Sequence, residues 1–339
     1  MKIALDAMGG DGSPSVEVEG AILAAKEYNT EIVLVGDEGL LRAELKKHGS
    51  SAGLSLSICQ ASQRIEMHES PVAVLRRKKD SSIAVATNLV LEGKASAVVS
   101  AGHSGATMAA ALFILGPIKG VERPAIATIL PTLQGISIML DVGANVDCKP
   151  RHLFQFAVMG HAYAKKVLQR ENPRIGLLSI GEEDTKGNIL TKETFRHLKD
   201  SPLNFIGNVE GRDVFSGNAD VVVCDGFIGN VALKITEGVA ETFGKLLARE
   251  IGKSLFGKIG YVLLKPAFTS FKKKLDYAEY GGAPLLGVNG VCIICHGRSS
   301  PRAIKNAIAM ALESAKLQTV NYAQKDITDM MTYYGEDEG

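Results

Sequence analysis

The sequence predicts an α/β protein, an αβα sandwich with a mostly parallel sheet and helices on both faces. Three observations lead there. Short runs rich in Val, Ile and Ala alternate with longer stretches of helical periodicity along most of the 339 residues. Glycine-rich turns separate many of those runs from the helix that follows. No low-complexity linker interrupts the chain. One catalytic unit of two lobes sharing a sheet is therefore expected over residues 1–334, with a disordered acidic tail at 335–339.

The elements follow in order. Residues 3–6 read as a strand, and Gly9-Gly10-Asp11-Gly12 turns the chain into a helix from about Ser15. A strand at 32–36 leads into a helix carrying Leu40, Leu41 and Leu45. A short strand at 97–100 enters Ala101-Gly102-His103-Ser104-Gly105-Ala106, and a helix runs on to about Leu115. Residues 124–131 and 135–141 are two strands close enough in sequence to pair antiparallel. Residues 175–180 and 219–224 repeat the sequence of strand, turn and helix.

Composition narrows the function classes. Lys and Arg total 38 against 37 Asp and Glu, a net charge of +1, which excludes a globally basic nucleic-acid binder. No run of about 20 apolar residues is present to span a membrane. The first residues read as a strand and not as a signal peptide. Five cysteines in apolar surroundings do not form a disulfide framework and point to the cytoplasm. Cys292 and Cys295 form a lone CxxC inside an apolar run, which reads as strand core and not as a zinc site. No metal and no cofactor is expected.

Four loops are rich in glycine and small polar residues where strands end: Asp6-Ala7-Met8-Gly9-Gly10-Asp11, residues 100–107, Asp141-Val142-Gly143-Ala144-Asn145-Val146-Asp147, and Asp225-Gly226-Phe227-Ile228-Gly229-Asn230. Ligands of open α/β sheets bind beyond the carboxyl ends of strands, so these loops are expected at one sheet edge. Glycine lets backbone N–H groups approach an anion, and Gly102, His103, Ser104 and Gly105 form the candidate phosphate cradle. Asp6, Asp141 and Asp147 are read as groups that order the loops. Familiar alternatives fail on residue grounds: the sequence has no GxxxxGK[ST], no GxGxxG after the first strand with an acid following, and no GxSxG.

Arg76-Arg77-Lys78-Lys79, Arg123-Pro124-Ala125, Leu130-Pro131-Thr132, Gly207-Asn208-Val209-Glu210 and Tyr280-Gly281-Gly282-Ala283 join these loops in a recognisable order. Together they resemble the phosphate acyltransferases of bacterial phospholipid synthesis, over about residues 1–330. The resemblance implies transfer of an acyl group from acyl carrier protein to inorganic phosphate, forming acyl phosphate. It implies a fold like phosphate acetyltransferases and isocitrate or isopropylmalate dehydrogenases. It also implies a homodimer, peripheral membrane association, and an acyl-phosphate glycerol-3-phosphate acyltransferase that uses the product. One departure stands out: the family has Asn-Thr where this chain has His103-Ser104, as phosphate acetyltransferases do. The rivals are accordingly a phosphate acetyltransferase using coenzyme A and a non-catalytic membrane scaffold.

Phosphate is its own nucleophile near neutral pH, so the site must position it and offset charge. Lys186, in the polar turn Gly181-Glu182-Glu183-Asp184-Thr185-Lys186-Gly187-Asn188, is the expected cation. Asn230 is the expected amide donor, His103 a hydrogen-bonding group beside phosphate, and Asp225 orients its loop. An acidic carrier protein would dock on basic residues, with Arg76, Arg77, Lys78 and Lys79 as candidates. Residues 249–274 carry seven Lys and Arg against Glu250 alone. There Leu255, Phe256, Ile259, Val262 and Leu263 line one side of a helix that Pro266 is expected to end, and Phe268, Phe271 and Leu275 continue the apolar pattern beyond it. A basic amphipathic pair of this kind suits a membrane interface.

Overall fold

The computed structural model describes residues 1–49, 53–66, 68–275 and 280–334. The acidic tail at 335–339 lies outside the described residues. The strands are β1 (Lys2–Asp6), β2 (Glu31–Gly36), β3 (Leu56–Gln60), β4 (Ala97–Ser100), β5 (Ala125–Thr132), β6 (Gly135–Leu140), β7 (Ile175–Leu178), β8 (Phe205–Val209), β9 (Val221–Val223), β10 (Ala283–Leu286) and β11 (Val291–Ile294). The helices are α1 (Ser15–Tyr28), α2 (Glu38–Lys47), α3 (Pro71–Arg77), α4 (Ser82–Leu91), α5 (Ser104–Ala110), α6 (Pro150–Lys166), α7 (Ile189–Lys199), α8 (Gly226–Gly252), α9 (Leu255–Leu275), α10 (Pro301–Lys316) and α11 (Thr319–Met330). The strands form one sheet in the order β3-β2-β1-β4-β11-β10-β5-β6-β9-β7-β8.

The short central strands β1 and β4 are buried along nearly their whole length, because helices cover both faces. One face of the first half packs against α1 and α10, burying Ile3, Leu5, Val18, Ile22, Ile304 and Ile308. In the second half Phe154, Phe156, Leu198 and Ile327 fill the layer under α6, α7 and α11. The opposite face carries one apolar cluster through both halves, from Ala4, Val98 and Ala106 to Met139, Val142 and Val222. Cys292 points into that shared cluster and Cys295 into the core under α1 and α10, so the CxxC pair faces opposite sides of the sheet.

The topology corrects two expectations. Strands β1 to β4 and β11 run parallel, but β10 is antiparallel to both β11 and β5. The antiparallel β5–β6 pair then reverses direction again, and β6, β9, β7 and β8 run parallel to one another. The four glycine-rich loops therefore leave the ladder at two edges, two loops at each, and not at one. The second correction is Pro266, which sits inside α9 and does not end it. That stretch is solvent-exposed, so water can satisfy the carbonyl that loses its N–H partner. The break between the two helices falls at residues 253–254 instead.

Candidate active site

At the first edge, Asp6 ends β1 beside Ser100, which ends β4. Ser100 Oγ donates to Asp6 Oδ2 at 2.7 Å, and the Met8 amide donates to Asp6 Oδ1 at 3.2 Å. Burial pushes the Asp6 carboxyl above its usual range, against the opposing pull of hydrogen bonds from Ser82, Ser100 and Met8. The two loops touch backbone to backbone: a Cβ on Gly9 would stand 2.7 Å from Gly102 Cα. Only glycine permits that approach. Glu17, 1% exposed in the first turn of α1, accepts from Ser13 Oγ at 2.7 Å and from the Gly10 amide. Burial raises its carboxyl to about 7.

The candidate cradle is already half committed. Gly102 N–H donates to Ser100 Oγ at 3.1 Å, and Gly105 N–H donates to His103 Nδ1 at 3.1 Å. His103 thus caps α5, with Nδ1 the acceptor and the ring proton on Nε2. Among the described residues no hydrogen bond engages the His103 or Ser104 amide.

At the second edge, Asp141 follows β6 fully buried and gathers four donors: the amides of Ile126, Ala144 and Asn145 at 3.0, 3.1 and 2.7 Å, and Asn145 Nδ2 at 2.9 Å. Burial raises this carboxyl too, with the four hydrogen bonds opposing. Asn145 also donates to the Pro124 carbonyl at 2.7 Å and accepts from the Gly226 amide through its own carbonyl at 2.8 Å. Gly229 presses on the Asp141 carbonyl. Asp225 caps α8, its Oδ1 accepting from the Ile228 amide at 2.9 Å. Asn230 is exposed in the next turn, its side-chain nitrogen 3.3 Å from where a Gly143 Cβ would stand. It faces the Asp141 loop and is not the cap. Asp147 is exposed.

Strand β7 lies beside β9, so the turn carrying Lys186 belongs to this second edge. Lys186 is exposed, and its amide donates to the Glu183 carbonyl at 3.0 Å. Arg76, Arg77 and Lys79 are exposed at the end of α3, whereas Lys78 folds back onto Glu69 at 2.6 Å and the Arg64 carbonyl at 2.7 Å. The two edges meet through the shared apolar cluster, where Ala106 and Ala110 of α5 join Ala144, Ala232 and Leu233.

Three features of the site carry little signal in the sequence. Glu17 sat inside a helical pattern, where an acid in the first turn was the only signal. Asn208 entered only as part of a motif. Exposed apolar side chains, Val146, Ile180, Ile189, Phe227 and Ile228, ring the second edge. An apolar residue inside a polar loop was their signal. Among the described residues no group of three His, Cys, Asp or Glu is placed to hold a metal.

Residues 1–322 match the family model described as fatty acid synthesis protein. The chain belongs to that family. The family relatives include a phosphate acyltransferase of Geobacter sulfurreducens, 58% identical over 335 residues, 98% of this chain and 96% of that one. Another, from Pelotomaculum thermopropionicum, is 58% identical over 93% of this chain and 92% of its own. Among solved structures, the EutD phosphotransacetylase from Staphylococcus aureus aligns with a TM-score of 0.59 at 17% identity, covering 94% of both chains. A 4-hydroxythreonine-4-phosphate dehydrogenase from Klebsiella pneumoniae aligns at 0.53 and 15% identity, covering 93% of this chain and 98% of that one. This family member therefore has the fold expected from its sequence, shared by phosphotransacetylases and a dehydrogenase.

Proposed function

We propose that this chain transfers a fatty acyl group from the thioester of acyl carrier protein to inorganic phosphate. A phosphate oxygen attacks the thioester carbonyl, the tetrahedral oxyanion collapses, and the C–S bond breaks to give acyl phosphate and the carrier thiolate. The observation that carries the reading is identity of more than half, over nearly the whole chain, to enzymes named phosphate acyltransferase. Residues 1–334 act as one catalytic unit.

The chemistry divides between the two edges. Phosphate sits against the His103 and Ser104 amides, with Gly102 and Gly105 allowing close approach. Lys186 and Asn230 face the thioester, where an ammonium and an amide donor stabilise the oxyanion. Asp6, Gly9 and Gly10 hold one loop pair in place, and Asp141, Asn145 and Asp225 the other. Val146, Ile180 and Phe227 offer apolar surface to the start of the acyl chain.

Partners follow from the surface. Arg76, Arg77 and Lys79 suit an acidic carrier protein. Along α8, Ile235, Val239, Phe243 and Leu246 are exposed at spacings of three and four residues, which supports a homodimer. Phe256, Ile259, Val262 and Leu263 are exposed on α9 and support peripheral membrane contact; the Leu255 side chain lies outside the described residues. Among the described residues no helix is long and apolar enough to cross a membrane. We place the enzyme in the cytoplasm, upstream of an acyl-phosphate glycerol-3-phosphate acyltransferase.

One residue pair favours a second reading. His103-Ser104 stands where carrier-protein enzymes have Asn-Thr, and this points to coenzyme A as donor. Thiol release from acyl carrier protein thioester and from acyl coenzyme A, each with phosphate, decides between them. Phosphate-dependent release from the carrier thioester at the higher kcat/KM is expected. Preference for acyl coenzyme A supports the second reading, and no release from either refutes both.

A further inference from the structure

The turn that carries Lys186 hangs from the sheet by one side chain. Asn208, on β8, is 6% exposed, and its Nδ2 donates to the Glu183 carbonyl at 2.9 Å. That same carbonyl accepts the Lys186 amide at 3.0 Å and so closes the turn. Among the described residues, this is the one hydrogen bond between the sheet and residues 181–187. The other ties are ion pairs of exposed side chains, Lys199 with Asp184 at 3.0 Å and Arg212 with Glu182 at 3.5 Å. Solvated pairs of that kind fix geometry weakly.

The surroundings are polar where an apolar plug would be ordinary. Asn208 Oδ1 is buried without a partner, and so is Ser179 Oγ. Leu177 is in register with Asn208, so Ser179, two residues on, shares the Asn208 face of the β7–β8 pair. Ser179 Oγ lies 3.0 Å from where a Gly187 Cβ would stand, at the far end of the same turn. The turn is therefore held by a directional bond at its Glu183 end and lies beside an unpartnered hydroxyl at its Gly187 end. Apolar packing tolerates a slide of several tenths of an ångström, whereas a hydrogen bond weakens steeply with angle.

We infer that Asn208 is the positioning residue for Lys186: its amide fixes the Glu183 carbonyl and, through it, the place of the Lys186 ammonium over the thioester. This rests on the catalytic reading of Lys186 given above. It assigns Asn208 no contact with substrate.

The test is a double-mutant cycle on the full chain, with turnover measured on acyl carrier protein thioester and phosphate. Lys186→Ala should lower kcat about a hundredfold. Asn208→Ala should lower it about tenfold, with the KM for phosphate held. In the doubly substituted enzyme, Asn208→Ala should lower kcat no further, because there is no ammonium left to misplace. Losses that multiply to about a thousandfold would show that Asn208 acts elsewhere or through general stability, and would overturn the inference. So would an unchanged kcat in Asn208→Ala. If Lys186→Ala turns over normally, the catalytic reading of Lys186 falls first and this inference with it. Should Asn208→Ala unfold, Asn208→Leu removes the same amide while keeping the number and branching of side-chain heavy atoms, and carries the same cycle.

Discussion

Three buried carboxyls hold the glycine-rich loops, and each is held at a cost that depends on pH. Asp6, Glu17 and Asp141 all have their carboxyls raised by burial. For Glu17 the carboxyl rises from the usual 4.5 to about 7. The folded protein then binds a proton that the unfolded chain has already released. Between about pH 4.5 and 7 the native state carries the extra proton, so stability falls as pH rises through that window. The shift corresponds to about 3 kcal/mol at full ionisation. Glu17→Gln imitates the protonated acid and should flatten the fall, so chemical denaturation at pH 5 and pH 8 should give nearly equal stabilities on its account. A pH dependence equal to wild type would show that Glu17 is ionised freely in the fold. The proposed chemistry rests on a different kind of residue. Lys186 is exposed, so Lys186→Ala should leave the melting temperature unchanged while turnover drops about a hundredfold. Normal turnover would remove Lys186 from the mechanism.

Elements were legible where the signal is local. The strand at 97–100, the helix from Ser15 and the antiparallel pair after Pro124 are set by apolar periodicity and turn residues, and the structure has them in place. Strand β3 and helices α3 and α4 escaped: β3 is only partly buried and the helices are short, so their periodicity is faint. Pro266 misled for the opposite reason, since an exposed helix can carry a proline that a buried one would reject. The loop elements allow a sharper test. A Cβ at Gly105 would stand 2.9 Å from Pro71 Cγ and 3.2 Å from the His103 ring. Gly105→Val must therefore push α3 or turn the capping imidazole, and both disturb the His103 and Ser104 amides proposed to hold phosphate. The KM for phosphate should rise roughly tenfold or more, with a smaller change for the acyl donor. Equal changes for both substrates, or simple unfolding, would make Gly105 a turn residue and nothing else.

At the scale of the whole molecule, the sequence hid the path of the sheet. Strand β10, from residues 283–286, inserts between β11 and β5 antiparallel to both, and no local pattern encodes a pairing across more than 150 residues. The two-edged site follows from the β5–β6 hairpin, since β5 still runs parallel to β11 and only β6 turns the second half over. The same global view isolates the helical pair α8–α9, whose outer surface is apolar and basic on a chain of net charge +1. A uniformly neutral molecule has no reason to approach an anionic surface, but the seven cations of 249–274 against one acid do. Each Lys near such a surface contributes about 1 kcal/mol, while full burial of one Leu or Val contributes about 1.5–3 kcal/mol. Four large apolar side chains therefore match or exceed the charges at contact, and the charges, which act at longer range, govern approach. The required orientation is present: Val262 is 68% exposed and Leu263 75%. Replacing Val262→Glu and Leu263→Glu together should release the protein from vesicles of anionic phospholipid. Acyl transfer in solution should persist, since neither residue belongs to either edge of the site. High salt should slow wild-type binding more than it loosens protein already bound, because screening acts on approach. Should the wild type prove dimeric, a monomeric double variant would assign these side chains to packing between subunits. Unchanged vesicle binding by a folded, active double variant would show that these α9 side chains are not a membrane anchor.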